Sequence, residues 1–322
     1  MEEYQWPRVA VMGAGAVGCY FGGMLARAGA PVTLIGRPQH VEAINREGVF
    51  IDGVNFQEKI PVSASTELST AREAQVVLFC VKTLDTEQVA RALAPHLARG
   101  ATVISLQNGV DNVERIRAAA NLEAIAAVVY VAAEMAGPGH VKHSGRGDLI
   151  IGYLHDQSRR HADLESAAAL FKRAGVPCVI SDNVEGELWR KLIMNCAFNA
   201  VSALSRVRYG PIGRNPLSRE VVRRVIEEAV AVGRAAKIQL PDVNLVEAGM
   251  KLAEAMANAN SSTAQDIARG KLTEIDSLNG YVVRRGAEVG VDTPVNQTLH
   301  ALVKLLEESG QSNSSSGAAR AR

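Results

Sequence analysis

The fold is decided near the start of the chain, by the stretch Gly13-Ala14-Gly15-Ala16-Val17-Gly18. Residues 8–12 before it form a short, mostly apolar run, which is typical of a buried parallel strand. Residues 16–28 form a helix-like segment that Gly29 closes, and residues 31–35 form a second apolar run. Strand, turn, helix and strand within about 30 residues predict a βαβ unit.

A G-x-G-x-x-G pattern between a strand and a helix is the dinucleotide-binding fingerprint. Gly13 allows the tight turn, Gly15 allows the backbone to approach a pyrophosphate, and Gly18 allows the helix to pack close to the strand. The start of the helix adds free N–H groups and a partial positive charge, which favour phosphate. We therefore predict that this turn binds a dinucleotide; a glycine-rich turn without a ligand is the alternative. The predicted contacts are Gly13, Ala14, Gly15, Ala16, Val17 and Gly18.

The residue after the second strand discriminates between the two nicotinamide cofactors. An acidic residue there would accept a hydrogen bond from the ribose 2′-hydroxyl of NAD. This chain has Gly36-Arg37 instead, with no acidic residue before Glu42. Because a guanidinium can pair with a 2′-phosphate, Arg37 predicts NADP(H), and a solvated surface arginine is the alternative.

Strands and helices continue to alternate beyond the glycine turn. Residues 75–81 and 101–106 are strand-like and residues 85–98 are helix-like, which predicts a parallel sheet with helices on both faces. Lys82 and Asn108 each follow one of these strands, at the edge where ligands bind in such sheets. Lys82 is a candidate for cofactor phosphate or ribose, or else an exposed loop lysine. Asn108 is a candidate for the nicotinamide or the substrate, or else part of an Asn-Gly turn.

The pattern changes near residue 182, after which the chain is nearly all helix-like. We therefore predict an α/β protein with a Rossmann-type parallel-sheet domain over residues 1–182 and an all-helical domain over residues 183–309. The low-complexity residues 310–322 predict a disordered tail.

Composition argues against several classes of function. The 322 residues include 35 basic and 34 acidic side chains, so the chain lacks the basic excess that nucleic-acid binding needs. Residues 9–26 are uncharged, but their five glycines indicate a buried strand and turn rather than a membrane helix. The four cysteines form no C-x-x-C pair, so we expect no metal site, and free thiols in a reducing cytoplasm.

A polar stripe lies on the helix-like segment at residues 188–200. Lys191, Asn195 and Asn199 are spaced i, i+4 and i+8, so they share one face. Because asparagine disfavours a helix, two on one face among apolar neighbours indicate the lining of a pocket. Ketone reduction needs such groups, since an adjacent ammonium stabilises the growing negative charge on oxygen and donates a proton. A helix with an ordinary solvent face is the alternative.

A second polar cluster occupies residues 261–266 and 273–276. Ser262 can donate a hydrogen bond to a substrate carboxylate, and Glu274 can orient a lysine or a substrate hydroxyl. On the pattern alone, a helix cap and a surface glutamate explain these two residues equally well.

Together these motifs resemble the ketopantoate reductases (2-dehydropantoate 2-reductases), over residues 8 to 305. The resemblance is carried by the glycine turn, Val81-Lys82-Thr83, Gln107-Asn108-Gly109, a loop at residues 139–145, Trp189-Arg190-Lys191-Leu192 with Asn195 and Asn199, Ser262 with Gln265-Asp266, and Thr273-Glu274-Ile275-Asp276. It implies hydride transfer from NADPH to the C2 ketone of 2-dehydropantoate, giving (R)-pantoate for pantothenate and coenzyme A. The resemblance also implies that Lys191 is the general acid and that Glu274 is its partner carboxylate. It implies that Asn195, Asn199 and Ser262 bind the substrate and that Asn108 lies beside the nicotinamide.

Two positions depart from the family pattern. Thr263 stands where an apolar residue is expected, and Ala259 stands where an asparagine is expected. Both concern substrate contacts, so a reductase of another 2-oxo acid and an opine- or 2-hydroxyacid-type dehydrogenase remain alternatives. A non-catalytic NADP sensor should lack the lysine–glutamate pair, which is present here as Lys191 and Glu274. The apolar helices after Pro216 can either form a homodimer contact or fill the core of their own domain.

Overall fold

The apolar runs in the first half of the chain form strands, and the helix-like segments between them form helices. The computed structural model describes residues 5–154 and 161–320, with the side chains of the last helix described as far as Ser309. The backbone divides into two units, Met1–Val184 and Glu185–Arg322.

The N-terminal unit is built on a single sheet. Its strands in the described residues are β1 (Val9–Met12), β2 (Val32–Ile35), β3 (Val49–Gly53), β4 (Gln57–Ile60), β5 (Ser63–Ser65), β6 (Val76–Phe79), β7 (Thr102–Ser105), β8 (Ala124–Gly137), β9 (His140–Gly152) and β10 (Cys178–Ile180). Its α-helices there are α1 (Ala16–Arg27), α2 (Pro38–Glu47), α3 (Thr86–Leu93), α4 (Asn112–Ala120) and α5 (His161–Arg173). The strand order is β4-β3-β9-β8-β7-β6-β1-β2-β5, and β10 also pairs with β9.

The predicted Rossmann-type sheet is confirmed at its centre, where β5, β2, β1, β6, β7 and β8 pair in parallel. The other side of the sheet is mixed: β8 pairs antiparallel with β9 and β3 pairs antiparallel with β4, whereas β3 and β10 each pair in parallel with β9. Only Pro138 and Gly139 separate β8 from β9, and so short a link can join only antiparallel strands. The loop expected at residues 139–145 is wrong, because the chain is already in β9 from His140.

The glycine turn lies at the point where the strand order reverses. From β1 the chain moves to β2 on one side and later returns to β6 on the other side. The turn after β1 is fixed by two backbone hydrogen bonds, Gly13 N to Ile35 O at 2.9 Å and Cys80 N to Met12 O at 2.8 Å. Open α/β sheets bind ligands in the crevice at such a reversal, outside the carboxyl ends of the strands.

Helix α1 packs its apolar face against this sheet. Cys19, Phe21 and Leu25 are completely buried, and Phe21 meets Phe171 of α5 edge-on with ring centroids 6.2 Å apart. Each large apolar side chain buried in this way contributes about 1.5–3 kcal/mol relative to exposure. The uncharged stretch at residues 9–26 is therefore a core strand and helix.

The second unit is helical in its described residues, as predicted. Its helices are α6 (Val184–Ser205, whose first residue closes the N-terminal unit), α7 (Tyr209–Arg214), α8 (Pro216–Ala235), α9 (Leu245–Ala255), α10 (Ser262–Ala268), α11 (Asn279–Val289) and α12 (Pro294–Arg320). The backbone of α12 is helical as far as Arg320, whereas composition predicts disorder over residues 310–322. The side chains after Ser309 and the last two residues lie outside the described part, so the disordered tail stays a prediction.

Three further features bear on the class of protein. In the described residues no helix is both long enough and apolar enough to cross a membrane. Within the same ranges no group of three or more His, Cys, Asp or Glu side chains is placed to hold a metal ion. All four cysteines are free, and burial raises the pKa of Cys19 and Cys178 to about 12, which keeps both thiols neutral and unreactive.

Candidate active site

The three glycines of the turn are required for different reasons. Gly13 has a φ of +113°, and a Cβ there would lie 2.8 Å from the backbone carbonyl of Cys80. A Cβ at Gly18 would overlap the carbonyl oxygen of Gly13. A Cβ at Gly15 would meet nothing within 4 Å, and the φ of Gly15 is an ordinary −88°. The fold itself therefore requires Gly13 and Gly18, whereas the space beside Gly15 is open to a ligand.

The start of α1 is suited to an anion. Gly15 is its N-cap residue, no side chain caps it, and its first turn contains no acidic residue. The backbone N–H groups of this turn and the helix dipole thus face the open space without a competing negative charge. This geometry fits a pyrophosphate, and the contacts expected of residues 13–18 remain a prediction.

Arg37 lies two residues after the end of β2, at the same edge of the sheet. Gly36 passes so close to the turn that a Cβ on it would lie 2.6 Å from the Ala14 Cβ. Arg37 is exposed and is the N-cap residue of α2, which begins with Pro38. Its guanidinium forms no hydrogen bond or ion pair with another described residue, so it is available to an anionic ligand.

Lys82 and Asn108 follow the neighbouring strands β6 and β7, and both are half-buried. The carbonyl oxygen of Asn108 accepts hydrogen bonds from Thr83 Oγ1 at 3.1 Å and from Asn112 Nδ2 at 2.6 Å. The two loops that carry the candidate residues are thus joined directly to each other, which limits how far either can move.

A buried polar network below these loops was not identified from the sequence. Gln107 Nε2 donates to Val81 O at 3.0 Å and to Thr86 Oγ1 at 2.8 Å, and Gln107 Oε1 accepts from Ser105 Oγ at 2.9 Å. Thr86 Oγ1 in turn donates to Asn112 Oδ1 at 3.1 Å. The sequence signal for this network was the pair Gln107-Asn108 shortly after β7, together with Thr83 and Thr86 after β6.

In the helical unit, α6 presents the predicted polar face. Lys191 and Asn195 are half-buried, and Asn199 is only 3% exposed. Asn199 Oδ1 accepts a hydrogen bond from the Tyr209 hydroxyl at 2.9 Å. Burial raises the pKa of Tyr209, so its hydroxyl keeps its proton and can donate it. Asn199 Nδ2 has no partner among the described residues, which leaves it as a donor for a ligand.

The serine run is divided between two roles. Ser261 is the cap of α10: its Oγ accepts from Ala264 N at 3.0 Å and donates to Asn199 O at 3.2 Å. Ser262 is the first residue of α10 and is exposed, so the cap does not account for its hydroxyl. Thr263 is 1% exposed and therefore belongs to the packing of the helical unit.

Glu274 lies just before a single 3₁₀ turn, Ile275–Ser277, and is half-buried. Its carbonyl oxygen accepts from Ser277 N at 2.9 Å. Two residues after this turn, Asn279 Nδ2 at the start of α11 donates to Cys196 O of α6 at 3.2 Å. The segment that carries Glu274 is thus attached to the helix that carries Lys191.

The described geometry defines a class of protein: an oxidoreductase with a Rossmann-type dinucleotide turn in one unit and an amide- and lysine-bearing helix in the other. Two family models match the chain, "Ketopantoate reductase PanE/ApbA" over residues 9–156 and "Ketopantoate reductase PanE/ApbA C terminal" over residues 183–307. The chain belongs to the ketopantoate reductase family.

Relatives of known name support this assignment along nearly the whole chain. A 2-dehydropantoate 2-reductase from Pyrococcus horikoshii is 34% identical over 94% of this chain and 98% of its own length. One from Archaeoglobus fulgidus is 34% identical over 93% of this chain and 98% of its own length.

Solved structures agree with this fold. A PanE/ApbA family ketopantoate reductase from Ralstonia eutropha JMP134 is 52% identical, covers 94% of this chain and 99% of its own, and has a TM-score of 0.88. A D-mandelate dehydrogenase with NADH and anilino(oxo)acetate also has a TM-score of 0.88, at 25% identity, over 94% of this chain and 99% of its own.

Proposed function

We propose that this protein reduces the C2 ketone of 2-dehydropantoate to (R)-pantoate with NADPH, a step in making pantothenate and coenzyme A. The observation that carries the proposal is the shared face of Lys191, Asn195 and Asn199 on α6, in a chain that belongs to the ketopantoate reductase family. Relatives about one-third identical to it carry the name of this activity.

Each proposed role follows from the chemistry of the side chain. Lys191 donates a proton to the ketone oxygen as negative charge grows on it. Glu274 orients the lysine ammonium or the substrate hydroxyl. Asn195, Asn199 and Ser262 hold the substrate by donating hydrogen bonds to its carboxylate and hydroxyl oxygens. These groups orient the ketone, and the enzyme gains rate from that fixed orientation.

The dinucleotide would be held by the N-terminal unit, and when bound it supplies the hydride. Gly15 offers the open space for the pyrophosphate, and the uncapped start of α1 offers its N–H groups. We assign Lys82 to the cofactor phosphate or ribose, and Asn108 to the nicotinamide end, where it also reaches the substrate. Arg37, exposed and with no described partner, pairs with the 2′-phosphate, so we propose NADPH rather than NADH.

The cofactor choice is tested by Arg37→Asp. Loss of one hydrogen-bonded charge pair should lower kcat/KM for NADPH by roughly 10- to 100-fold, as such bonds contribute about 1.5–3 kcal/mol. The activity with NADH should fall much less. Arg72→Asp makes the same charge change at another exposed arginine of the unit and should leave the preference as it is. Unchanged selectivity in Arg37→Asp would remove Arg37 from this role.

The substrate is tested with purified protein and a panel of 2-oxo acids: ketopantoate, pyruvate, 2-oxoisovalerate, oxaloacetate and benzoylformate. NADPH oxidation should show the highest kcat/KM with ketopantoate. A second candidate is the reduction of another 2-oxo acid, which is favoured by Ala259 and by the TM-score of 0.88 to a D-mandelate dehydrogenase. A higher kcat/KM with benzoylformate would favour that candidate, and no turnover with any acid would favour an NADP sensor.

The proposal includes a homodimer located in the cytoplasm, with no nucleic-acid or membrane partner. Support for a second copy comes from large apolar side chains that are exposed on the helical unit, among them Leu217 at 80% and Leu305 at 60%. Support for a reducing compartment comes from the four free cysteines. Sedimentation analysis of the purified protein would establish the number of subunits.

A further inference from the structure

Glu274 lies in a stretch with little regular structure of its own. Residues 269–274 link α10 to the short 3₁₀ turn, and Leu272 among them is 47% exposed. Backbone outside helices and sheets keeps a single conformation only when other groups hold it. The backbone position from which the Glu274 side chain extends therefore depends on what anchors the residues on either side of it.

On the N-terminal side the anchor is Thr273, which is 1% exposed. Its backbone N–H and its Oγ1 both donate to Glu307 Oε1 of α12, at 2.7 Å and 2.6 Å. Thr273 Oγ1 also accepts a hydrogen bond from Ile275 N at 3.2 Å, so this hydroxyl links the two residues that flank Glu274. Glu307 itself is 7% exposed, and it is 34 residues away along the chain.

On the C-terminal side the anchor is Asp276. His300 Nε2 donates to Asp276 Oδ1 at 2.6 Å, and Lys304 Nζ donates to Asp276 Oδ2 at 2.9 Å. Burial alone would raise the pKa of Asp276, but these two hydrogen bonds outweigh it and hold the pKa below its ordinary value. Lys304 Nζ also lies 3.0 Å from Glu307 Oε2, which joins the two anchors.

The three partners on α12 form one surface. His300, Lys304 and Glu307 are spaced i, i+4 and i+7, so they project from the same face of the helix. Buried or half-buried charges are costly unless their hydrogen bonds are made, and here each carboxylate oxygen of Asp276 and Glu307 has a donor. Such an arrangement is rigid, and it brackets a single residue, Glu274.

We infer that α12 positions Glu274 for the reaction, with Glu307 acting through Thr273 on one side and Lys304 and His300 acting through Asp276 on the other. Glu307 and Lys304 are thus positioning residues, distinct from the groups that touch the substrate. The inference rests on the proposed function, in which Glu274 orients the lysine or the substrate. A shift of about 1 Å in such a group can lower the rate roughly 10²-fold.

The test compares Thr273→Val with Thr273→Ser in the full-length protein. Valine has the shape of threonine but loses the hydroxyl that joins Glu307 to Ile275, whereas serine keeps it. Thr273→Val should lower kcat with ketopantoate by roughly 10- to 100-fold, while KM for ketopantoate and Kd for NADPH stay within about twofold. Thr273→Ser should regain most of the lost kcat. Glu308→Gln, a neutralisation at an exposed neighbour of Glu307, should leave kcat unchanged.

An unchanged kcat in Thr273→Val would overturn the inference. A parallel loss of kcat, ligand binding and Tm would also overturn it, because such a loss reports only structural damage. If Thr273→Val does not fold, Lys304→Gln is tested instead. Lys304 is 37% exposed, and the glutamine that replaces it is also polar. For Lys304→Gln we likewise expect a lower kcat at a constant KM. Absence of any wild-type turnover with ketopantoate would contradict the proposed function instead.

Discussion

The two units hold their candidate functional groups by different physical means. In the N-terminal unit the glycine turn can form only because Gly13 and Gly18 have no side chains. The loops beside it are joined by neutral hydrogen bonds around Gln107. In the helical unit the candidate groups are side chains, and the segment of Glu274 is held by charged groups of α12. The first arrangement fits a ligand that binds through backbone N–H groups, and the second fits groups that must move or orient a proton.

This difference predicts opposite sensitivities to substitution. Where the backbone itself makes the contact, adding a single methyl group should be the damaging change. Where a side chain makes the contact, removing its functional group should be the damaging change, and the fold should tolerate it. The three predictions that follow separate these two cases, in order of the size of the expected effect.

Lys191→Ala should have the largest effect, since it removes the proposed proton donor. We expect kcat to fall by roughly 10²–10⁴-fold, the usual contribution of a general acid. The measurement is NADPH oxidation at saturating ketopantoate. Lys251→Ala is the matched control, because Lys251 belongs to the same unit but is 73% exposed and pairs with Glu247. A near-normal rate in Lys191→Ala would remove the lysine from that role.

Gly13→Ala and Gly15→Ala should separate the needs of the fold from those of the ligand. Gly13→Ala forces a non-glycine residue to a φ of +113° and against Cys80, so the free energy of unfolding should fall by about 1–3 kcal/mol. Gly15→Ala has room and an ordinary φ, so the free energy of unfolding should fall by no more than about 1 kcal/mol, the cost of a poorer N-cap residue, while Kd for NADPH rises. Equal NADPH binding in Gly15→Ala and wild type would show that no ligand approaches Gly15.

Tyr209→Phe should have the smallest effect, because it removes one hydroxyl that donates to Asn199 Oδ1. One such hydrogen bond contributes about 0.5–1.5 kcal/mol, so KM for ketopantoate should rise by roughly 2- to 10-fold with kcat nearly constant. In an Asn199→Ala background the same change should have no further effect on KM. Additive effects in this double-mutant cycle would mean that Tyr209 does not act through Asn199.

Much of the N-terminal unit could be predicted because its signals are local. The strand, glycine turn and helix at residues 8–28 lie next to each other in the chain, and each follows from its own residue types. The hairpin of β8 and β9 was not predicted, because its strands are long and irregular, and the register shifts between Tyr130 and Val131 and between Ala132 and Ala133 break the simple alternation.

In the helical unit, spacing was informative only within one helix. The common face of Lys191, Asn195 and Asn199 follows from helical periodicity, and so could be predicted. The pairing of Asn199 with Tyr209 could not, because it joins two helices. Ser261 rather than Ser262 caps α10, and adjacent serines offer no local signal that would decide between them.

By itself the sequence determined the class of fold, the position of the glycine turn, and which lysine, glutamate and amides are candidates for chemistry. These depend on the conformational freedom of glycine and on the periods of helix and strand, which neighbouring residues reveal. Only the tertiary structure decided which groups hold the candidates in place. Gln107 and Asn112 join two loops by hydrogen bonds, Tyr209 donates to Asn199, and Glu307 accepts from Thr273. Such contacts join residues far apart in the chain, and no local pattern encodes the partner of a buried polar group.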